Sequence, residues 1–573
     1  TSWDGIYTIP STVGELGTHW SYIKGNHTIE FGFEVIKSKV VKDQDYLSDG
    51  NYTFSGVLSG DNALDFLLGR PSQFQQQEPF YIVPIRTLPA AYAADTWKVS
   101  RRLTLNLGVR WNPFLPVFEN SYQQEGIFSY AFYSQGIRSK LYPNLPPGLL
   151  VSGDPGIPKK IINSDYRIFN PRIGFAWDPF GNGKTSIRAG FGIFQDQMQG
   201  NTINPNYSPF NVNATIAFPV STATPYAGQY NPFPISRPNP SSLVFPLPEL
   251  ANPFLLGIQP PAIQQWNFTV ERQLPSSMLL RVAYEGMESY HLPGSIEGNA
   301  AIYNPALTAT QNRTQVNSRR PLGQYYQGLY LGQNVGTASY QALNFSVEKR
   351  VTHGLTFLAG YRWSKCLDEN ESATTYSADA YSTPNPHNDR GVCGYNIPNQ
   401  GRFSYAWNIP TPNGMGAIAR NVLGHWETNG ILTLRSGIPF NITSGIDNSL
   451  SGIGLDRADL VGNTNLPGGR SKAQVVQEWF NVQAFALNAL GTYGTTPRNY
   501  LEGPGFANLD FSIARQFPIH GESQKLQVRG EFFNLLNHAN FNNPTSSVSS
   551  SSFGRILGAA DPRIVQLGLK FVY

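Results

Sequence analysis

The strongest constraint on the fold is an alternation of apolar and polar residues that ends the chain, at Arg563–Tyr573. Successive side chains of a β-strand point to opposite faces, so a period of two predicts a strand with two different faces. One face is wholly apolar and consists of Val565, Leu567, Leu569, Phe571 and Tyr573. Such a face can lie in a core or against lipid, and the rest of the chain must distinguish the two.

The same alternation recurs upstream in segments of about ten residues, which come in pairs joined by turns. Including the last segment, the sequence predicts fifteen strands, and Ser2–Ile9 is a candidate for a sixteenth. The fifteen are Gly14–Ile23, His27–Ile36, Leu88–Val99, Leu103–Trp111, Pro171–Trp177, Thr185–Phe194, Ile263–Gln273, Met278–Ser289, Tyr340–Val351, Leu355–Ser364, Arg402–Ile409, Trp426–Arg435, Phe506–Phe517, Lys525–Asn534 and Arg563–Tyr573.

The polar faces of these segments carry full charges, which must meet water in any fold. A soluble β-sandwich would expose them to bulk solvent, whereas a transmembrane barrel would turn them toward a wet lumen. Short and long connections alternate along the whole series of strands, and this favours an all-β, antiparallel transmembrane barrel. The charged residues are Glu30, Glu34, Arg110, Arg172, Arg188, Glu271, Arg281, Arg350, Arg362, Arg435 and Arg529.

The connections also predict an orientation, because outer-membrane barrels have short periplasmic turns and long extracellular loops. Counting back from Tyr573, every short turn falls on the periplasmic side together with the C-terminus. The segments predicted to be extracellular are 37–87, 112–169, 195–262, 290–339, 365–400, 445–505 and 535–562. Soluble domains rarely contain irregular loops of this length.

Composition excludes several other classes of protein. Charged residues make up 14% of the 573 residues, and the net charge is only +4, so no basic patch indicates nucleic acid. An apolar content of 40% argues against one large hydrophobic core. No apolar run reaches the length of a transmembrane helix, about 18 residues. The chain opens at Thr1 without a signal peptide, so we expect a mature product or a piece of a longer chain.

No motif predicts an enzyme, a cofactor or a metal centre. Asp178–Thr185 ends in Gly-Lys-Thr like a phosphate-binding loop, but Asp178 stands where that motif needs its first glycine and a strand pattern follows. We therefore predict a glycine-rich hairpin turn. The eight histidines show no zinc-ligand spacing. Loop carboxylates that could bind calcium, without any EF-hand pattern, are Asp389, Asp456 and Asp459.

Aromatic residues lie near the ends of the predicted strands, as expected for the interfacial girdles of a barrel. Arg515 is an exception on an apolar face, and we expect it to extend toward the periplasmic interface. The tryptophans are Trp97, Trp111, Trp177, Trp266, Trp363, Trp407 and Trp426, and loop tyrosines suited to stacking on a sugar or peptide are Tyr325, Tyr326, Tyr330, Tyr376 and Tyr381.

The only two cysteines, Cys366 and Cys393, both fall in the predicted extracellular segment 365–400. Disulfides form and persist outside the cell. We therefore predict that these two residues are bonded and restrain this loop, and the alternative is a pair of free thiols.

Several segments resemble one family in order along the chain, from about residue 20 to the C-terminus. Trp20–Glu34, Tyr92–Val99 with Arg102–Arg110, Asn170–Asp178, Phe532–His538 and the terminal strand are similar to barrel segments of Oar-like TonB-dependent receptors. The resemblance implies a 22-stranded outer-membrane barrel with a periplasmic plug, a TonB box and a further N-terminal domain. We expect residues 1–573 to form one barrel domain that lacks the first strands, the plug and the TonB box.

The leading hypothesis is therefore the barrel portion of a TonB-dependent receptor or transporter in the bacterial cell outer membrane. The resemblance implies outer-membrane lipid and the TonB-ExbB-ExbD system as partners. It leaves the ligand open among a small molecule such as a siderophore, an oligosaccharide and a peptide. Two alternatives remain, a passive porin-like channel and a secreted, multi-domain β-sandwich adhesin or glycan-binding protein. The sequence identifies no ligand-binding residues.

Overall fold

Fifteen long strands form a single antiparallel wall in the computed structural model. The structure describes residues 7–44, 47–77, 80–119, 126–197, 213–231, 247–370, 383–411, 422–454, 456–520 and 524–572, and also 233, 243, 245, 414 and 416. The strands are β1 Ser11–Lys24, β2 His27–Val40, β3 Pro84–Lys98, β4 Leu103–Trp111, β5 Phe169–Trp177, β6 Thr185–Gln195, β7 Ala262–Leu274, β8 Met278–Glu297, β9 Tyr326–Thr352, β10 Leu355–Asp368, β11 Asn399–Asn408, β12 Trp426–Arg435, β13 Phe506–His520, β14 Gln524–Phe533 and β15 Ile564–Val572.

Each wall strand pairs in antiparallel register with the next wall strand along the chain. All fifteen predicted strands are present, and the fold is a transmembrane antiparallel β-barrel wall. In the part of the chain that the structure describes, β1 and β15 do not pair with each other, so this wall is not closed. Short turns connect the strands at one end and long loops at the other.

The two faces of the wall differ as the alternation predicts. Apolar residues stand side by side across strands, for example Phe345 opposite Tyr361 and Leu343 opposite Trp363. This apolar face stays accessible: Phe345 is 40% exposed and Leu569 is 71% exposed. Large apolar side chains exposed along a whole sheet fit lipid, because water would penalise each of them.

Tryptophans mark both ends of the wall. Trp97, Trp177, Trp407 and Trp426 lie where strands meet the short turns. Trp111, Trp266 and Trp363 lie toward the long-loop ends of β4, β7 and β10. This arrangement matches the two aromatic girdles expected at the membrane interfaces. No helix among the described residues is long and apolar enough to cross a membrane.

Beyond the wall, the long loops pack into a layer that contains the buried apolar clusters. One cluster joins residues 114–168 to Phe254 and Ile258, a second joins residues 128–151 to 245–251 and 322–331, and a third lies within residues 440–485. We call this assembly the loop layer. The predicted absence of one large core is consistent with this division into smaller ones.

Short elements outside the wall complete the fold. Side-chain caps begin six of the seven described helices, because Asp61, Ser129, Thr308, Asn385, Ser471 and Asn481 each accept a backbone N–H. The helices are Asn62–Leu67, Tyr130–Ser134, Ala309–Thr314, Asn317–Arg319, Pro386–Asp389, Lys472–Gln477 and Val482–Ala484. The short strands are Tyr7–Thr8, Lys42–Gln44, Asn51–Thr53, Gln73–Gln77, Phe80–Ile82, Phe118–Glu119, Gly126–Phe128, Leu149–Val151, Asn213–Ala217, Glu249–Ala251, Phe254–Leu255, Gly391–Val392, Pro439–Phe440, Asp459–Leu460, Phe485–Ala486 and Leu501–Glu502.

Several boundary predictions differ from the structure, and the two largest differences concern Ser2–Ile9 and the segment 290–339. The candidate strand Ser2–Ile9 lies partly outside the described residues, and its part Tyr7–Thr8 pairs with Lys42–Gln44 rather than with the wall. The predicted loop 290–339 is partly strand, because β8 continues to Glu297 and β9 begins at Tyr326. These extensions pack within the loop layer, so both of their faces are buried and the apolar–polar alternation that marks a wall strand is lost.

Candidate functional site

The polar face of the wall carries a lattice of charged side chains that contact one another across strands. Arg110 on β4 reaches over β3 to Glu34 on β2, with Nη2 and Oε2 3.0 Å apart. Glu271 on β7 lies between Arg188 and Arg281, at 3.6 Å and 3.8 Å. These side chains are partly solvent-exposed, so this face can attract and guide a polar or charged solute.

Most of the remaining arginines of the polar face contact neutral, aromatic or acidic neighbours. Arg362 donates from Nε to Asn344 at 3.0 Å, and Arg529 lies 3.3 Å from Glu531. Arg172 stacks over the ring of Phe194 at 4.6 Å. Arg435 stacks over Phe506 at 5.0 Å, Arg350 is exposed near the short-turn end of β9, and Glu30 is partly exposed on β2. The charged residues predicted for the polar face thus lie on that face, most of them in local contacts with neighbouring side chains.

The described tyrosines among those suited to ligand stacking are packed inside the loop layer. The hydroxyl of Tyr326 donates to the carbonyl of Pro147 at 2.9 Å, and its side chain is fully buried. Arg138 covers the ring of Tyr325 at 5.5 Å. Burial raises the pKa of the Tyr330 phenol. Tyr376 and Tyr381 lie outside the described residues. Tyr325 and Tyr326 thus act as packing residues rather than as an open stacking platform.

Two buried arginines fasten the loop after β12 to the loop after β10. Arg457 forms an ion pair with Asp389 and donates to the carbonyls of Asn388 and Thr496 at 2.9 Å and 2.8 Å. Arg498 pairs with Asp368, and burial lowers the pKa of its guanidinium to about 10. We call these four charged residues the arginine clamp.

The three calcium candidates are occupied separately by protein donors. Asp389 pairs with Arg457 in the clamp, and Asp456 accepts from the backbone of Ser449 and from Asn488. Asp459 accepts from the Ala489 amide at 3.3 Å. Within the described ranges, no three acidic, histidine or cysteine side chains group as metal ligands. Nothing in this geometry favours a calcium site.

The two cysteines lie beside the arginine clamp. The sulfurs of Cys366 and Cys393 are 1.95 Å apart, and their Cα atoms are 5.4 Å apart. Cys366 belongs to the end of β10 rather than to a loop, and the Cys393 amide donates to the Cys366 carbonyl at 3.1 Å. This geometry brings the loop after β10 back onto the wall.

The phosphate-loop-like segment is a hairpin turn between β5 and β6, as predicted. The Asp178 carboxylate accepts from the amides of Phe180, Gly181 and Gly183 at 3.2, 2.9 and 2.8 Å. These bonds, led by the one from Gly183, hold the pKa of Asp178 below its usual value. The amides that would bind a phosphate already have an anionic partner within the chain.

The loop layer contains buried acidic residues that the sequence does not predict. Glu297 accepts from the amides of Asn299 and Leu329 at 2.8 Å and 3.0 Å, and lies 3.1 Å from Arg320. Glu249 is also buried, and burial raises its pKa to about 8. Neither residue belongs to a motif, and Glu297 is buried by contacts with Arg320 and Leu329, which lie 23 and 32 positions away. Only the general rarity of buried carboxylates, visible in a structure, identifies them.

A protein-family model described as "Outer membrane beta barrel domain" matches residues 5–566, nearly the whole chain. No curated protein matches this chain.

Among solved structures, the outer membrane transporter YddB from Escherichia coli is similar, with 11% identity and a TM-score of 0.50. The alignment covers 98% of this chain and 54% of YddB. The ferripyoverdine receptor FpvA of Pseudomonas aeruginosa and the ferric preacinetobactin receptor BauA of Acinetobacter baumannii align with TM-scores of 0.46 and 0.45 at 11% and 10% identity. They cover 98% and 99% of this chain, which spans 48% and 55% of their lengths. This chain thus spans about half the length of the structures it resembles.

Proposed function

Since this chain belongs to the outer-membrane β-barrel family and lies in the bacterial outer membrane, we propose that it is the barrel portion of an Oar-like TonB-dependent receptor or transporter. The charged lattice on the polar face carries this proposal. A lipid-facing wall needs no such lattice, whereas a passage for polar solutes does. No catalytic role is proposed for any residue.

The open wall supports the barrel-portion part of the proposal. N–H and C=O groups along β1 and β15 that have no strand partner among the described residues would each be costly in lipid, so we expect further strands to satisfy them. We infer that residues 1–573 act as one domain whose wall is completed, and whose lumen is filled by a plug, by other parts of the protein. Coupling to TonB-ExbB-ExbD would act through those parts.

In this proposal, ligand is captured at the loop layer and passes along the polar face. The arginine clamp and the Cys366–Cys393 bridge hold neighbouring loops in one arrangement, which favours a defined entrance over a flexible one. The charged lattice then offers alternating positive and negative groups to the solute. A small polar molecule, an oligosaccharide or a peptide fits this surface.

Conductance of the 573-residue chain in planar bilayers distinguishes the receptor proposal from the passive-channel alternative. A receptor barrel that needs further strands and a plug predicts no uniform conductance step. A porin complete in these residues predicts reproducible steps of one size, and that result would overturn the proposal. The sandwich alternative is wrong, because the long strands form one sheet with an accessible apolar face rather than two stacked sheets.

A further inference from the structure

Three arginines lie close together on the polar face of the wall, in the half of β10, β11 and β12 nearer the long loops. Arg362 on β10 and Arg435 on β12 are both register partners of Gln400 on β11. Arg402 is two residues further along β11, on the same face as Gln400, so it is the diagonal neighbour of both arginines. The Cα atoms of such neighbours lie about 7–8 Å apart. We call Arg362, Arg402 and Arg435 the arginine trio.

The arginine trio has no acidic partner among the described residues. Arg362 donates to the neutral side chain of Asn344 at 3.0 Å, and Arg435 stacks over the ring of Phe506 at 5.0 Å. Neither contact neutralises a charge. The trio therefore places three positive charges side by side, which repel one another until an anion approaches.

Several other arginines of the polar face do have acidic partners, so the trio differs from its surroundings. Arg110 pairs with Glu34, and Glu271 lies between Arg188 and Arg281. These pairs lie on β2 to β8, whereas the trio lies on β10 to β12. The polar face thus carries both signs of charge on one part of the wall and an excess of positive charge on another.

The nearest carboxylates on the strands that flank the trio are too far away to pair with it. Glu348 lies four residues along β9 from the register partner of Arg362, and Asp510 lies four residues along β13 from the register partner of Arg435. Four residues of a strand span about 13 Å. Asp510 also accepts from the side-chain amide of Asn508 at 2.9 Å. The excess of positive charge at the trio is therefore local and uncompensated by these acids.

The wall is open to solvent at the trio. Arg362 and Arg402 are exposed, and Arg435 is partly exposed. Gly360, the register partner of Arg402 on β10, adds no side chain between them, and a methyl group there would contact only the Phe345 carbonyl oxygen, at 3.8 Å. A solute on the polar side can therefore reach the guanidinium groups directly.

We propose that the arginine trio binds a solute that carries several carboxylate or phosphate groups. This inference rests on the proposed transport function and narrows its ligand to a multiply charged anion. Each guanidinium presents N–H groups in a planar fork that fits the oxygens of a carboxylate or phosphate. Because β11 begins at Asn399 and β12 ends at Arg435, the site lies where the polar face meets the loop layer, at the start of the passage.

The test measures binding of small molecules to the detergent-solubilised 573-residue chain by isothermal titration calorimetry. The probes are tricarballylate with three carboxylates, inorganic triphosphate, and the uncharged trimethyl ester of tricarballylate. We expect one molecule of at least one anion to bind about tenfold more tightly than the ester, as charge-assisted hydrogen bonds provide. The two anions distinguish a carboxylate ligand from a phosphate ligand. Added salt should weaken the binding, because the trio is exposed.

Arg402→Gln should weaken binding of the anion about tenfold, since it removes the central charge of the trio. Arg188→Gln is the matched control, because it changes the net charge equally and leaves Glu271 beside Arg281. This control should retain the affinity of the unaltered chain. If Arg402→Gln does not fold, as judged by its far-UV circular dichroism, Arg362→Gln decides, and the same loss is expected.

Anion binding no tighter than that of the ester would overturn the proposal, and so would an undiminished affinity in Arg402→Gln or in the variant that replaces it. These results leave the receptor proposal untouched, because the conductance measurement tests it separately. Absence of anion binding without uniform conductance steps contradicts only the class of ligand, whereas uniform steps contradict the receptor whatever the chain binds.

Discussion

The wall and the loop layer solve the problem of burying apolar surface in opposite ways. In the wall, Phe345 points outward and stays 40% exposed, so its apolar environment must come from lipid. In the loop layer, Phe128 is fully buried against Tyr326, with ring centroids 5.6 Å apart. Ion pairs follow the same division, since those of the wall are solvent-exposed and the arginine clamp is buried. The loop layer is therefore the part of this protein that folds like a soluble domain.

Substitution of an arginine in the arginine clamp should give the largest difference in local stability between the loop layer and the wall. Arg457→Met removes the guanidinium that pairs with the buried Asp389, at a cost of up to about 5 kcal/mol in local stability. Hydrogen–deuterium exchange should accelerate in residues 386–392. Arg188→Met, which breaks a half-exposed wall pair with Glu271, is the control and should cost about 0–1 kcal/mol. Equal losses of stability in the two variants would contradict the distinction between the buried ion pairs of the loop layer and the exposed ion pairs of the wall.

Two phenylalanine substitutions test whether apolar side chains are surrounded by protein in the loop layer and by lipid in the wall. Phe128→Ala should leave a cavity in the loop layer and cost about 4 kcal/mol, because protein atoms surround the ring. Phe345→Ala should cost about 1 kcal/mol, since lipid or detergent fills the vacated space. Exchange protection of residues 326–331 reports the first change and that of residues 343–347 reports the second. A larger loss for Phe345→Ala would contradict our assignment of its outer environment.

The predicted disulfide should stabilise the loop layer alone. The bridge spans 27 residues, and closing such a loop is worth about 3 kcal/mol. Cys366→Ser with Cys393→Ser should increase exchange in residues 386–393 and leave β13 to β15 unchanged. Thiol titration of the unreduced, denatured chain is expected to find no free thiol, and two reactive thiols would show that the bond does not form.

The stability of the loop layer should depend on pH because of Glu249. Burial raises its pKa to about 8, so the folded state favours the protonated acid and loses stability as pH rises from about 4.5 to about 8. Each unit within this window costs at most about 1.4 kcal/mol. Glu249→Gln should remove the slope, with little effect below pH 4.5. Exchange at residues 326–329, measured at pH 5 and pH 8, tests this, and an unchanged slope in the variant would contradict it.

The wall could be predicted from sequence because its signal is local. In β9, the alternation of Leu343, Phe345 and Val347 with Asn344 and Ser346 sets both the strand and its faces. A short turn then brings β10 beside it, so pairing needs no distant information. The same local pattern identified the hairpin turn at Asp178 and the charged lattice.

The loop layer could not be predicted because its contacts join distant residues. The bond from Tyr326 to Pro147 spans 179 positions, and the pair of Arg457 with Asp389 spans 68. Aromatic and polar residues in such segments look alike whether they contact a ligand or each other. For this reason the sequence could not show whether Tyr325 and Tyr326, which suit stacking on a ligand, pack within the protein, as the structure shows. The hydrogen bond from Arg515 to the Val422 carbonyl could not be predicted for the same reason, since the two residues lie 93 positions apart.

The central claim, that the apolar face of the wall contacts lipid and the polar face lines a wet passage, is tested most directly by spin labels at positions 343 to 347 of β9. Power-saturation electron paramagnetic resonance in lipid bilayers measures the access of oxygen and of a water-soluble nickel complex to each label. We predict a period of two, with oxygen favoured at Leu343, Phe345 and Val347 and the nickel complex favoured at Asn344 and Ser346. Uniform access along the strand, or burial of the apolar set from both reagents, would contradict the account.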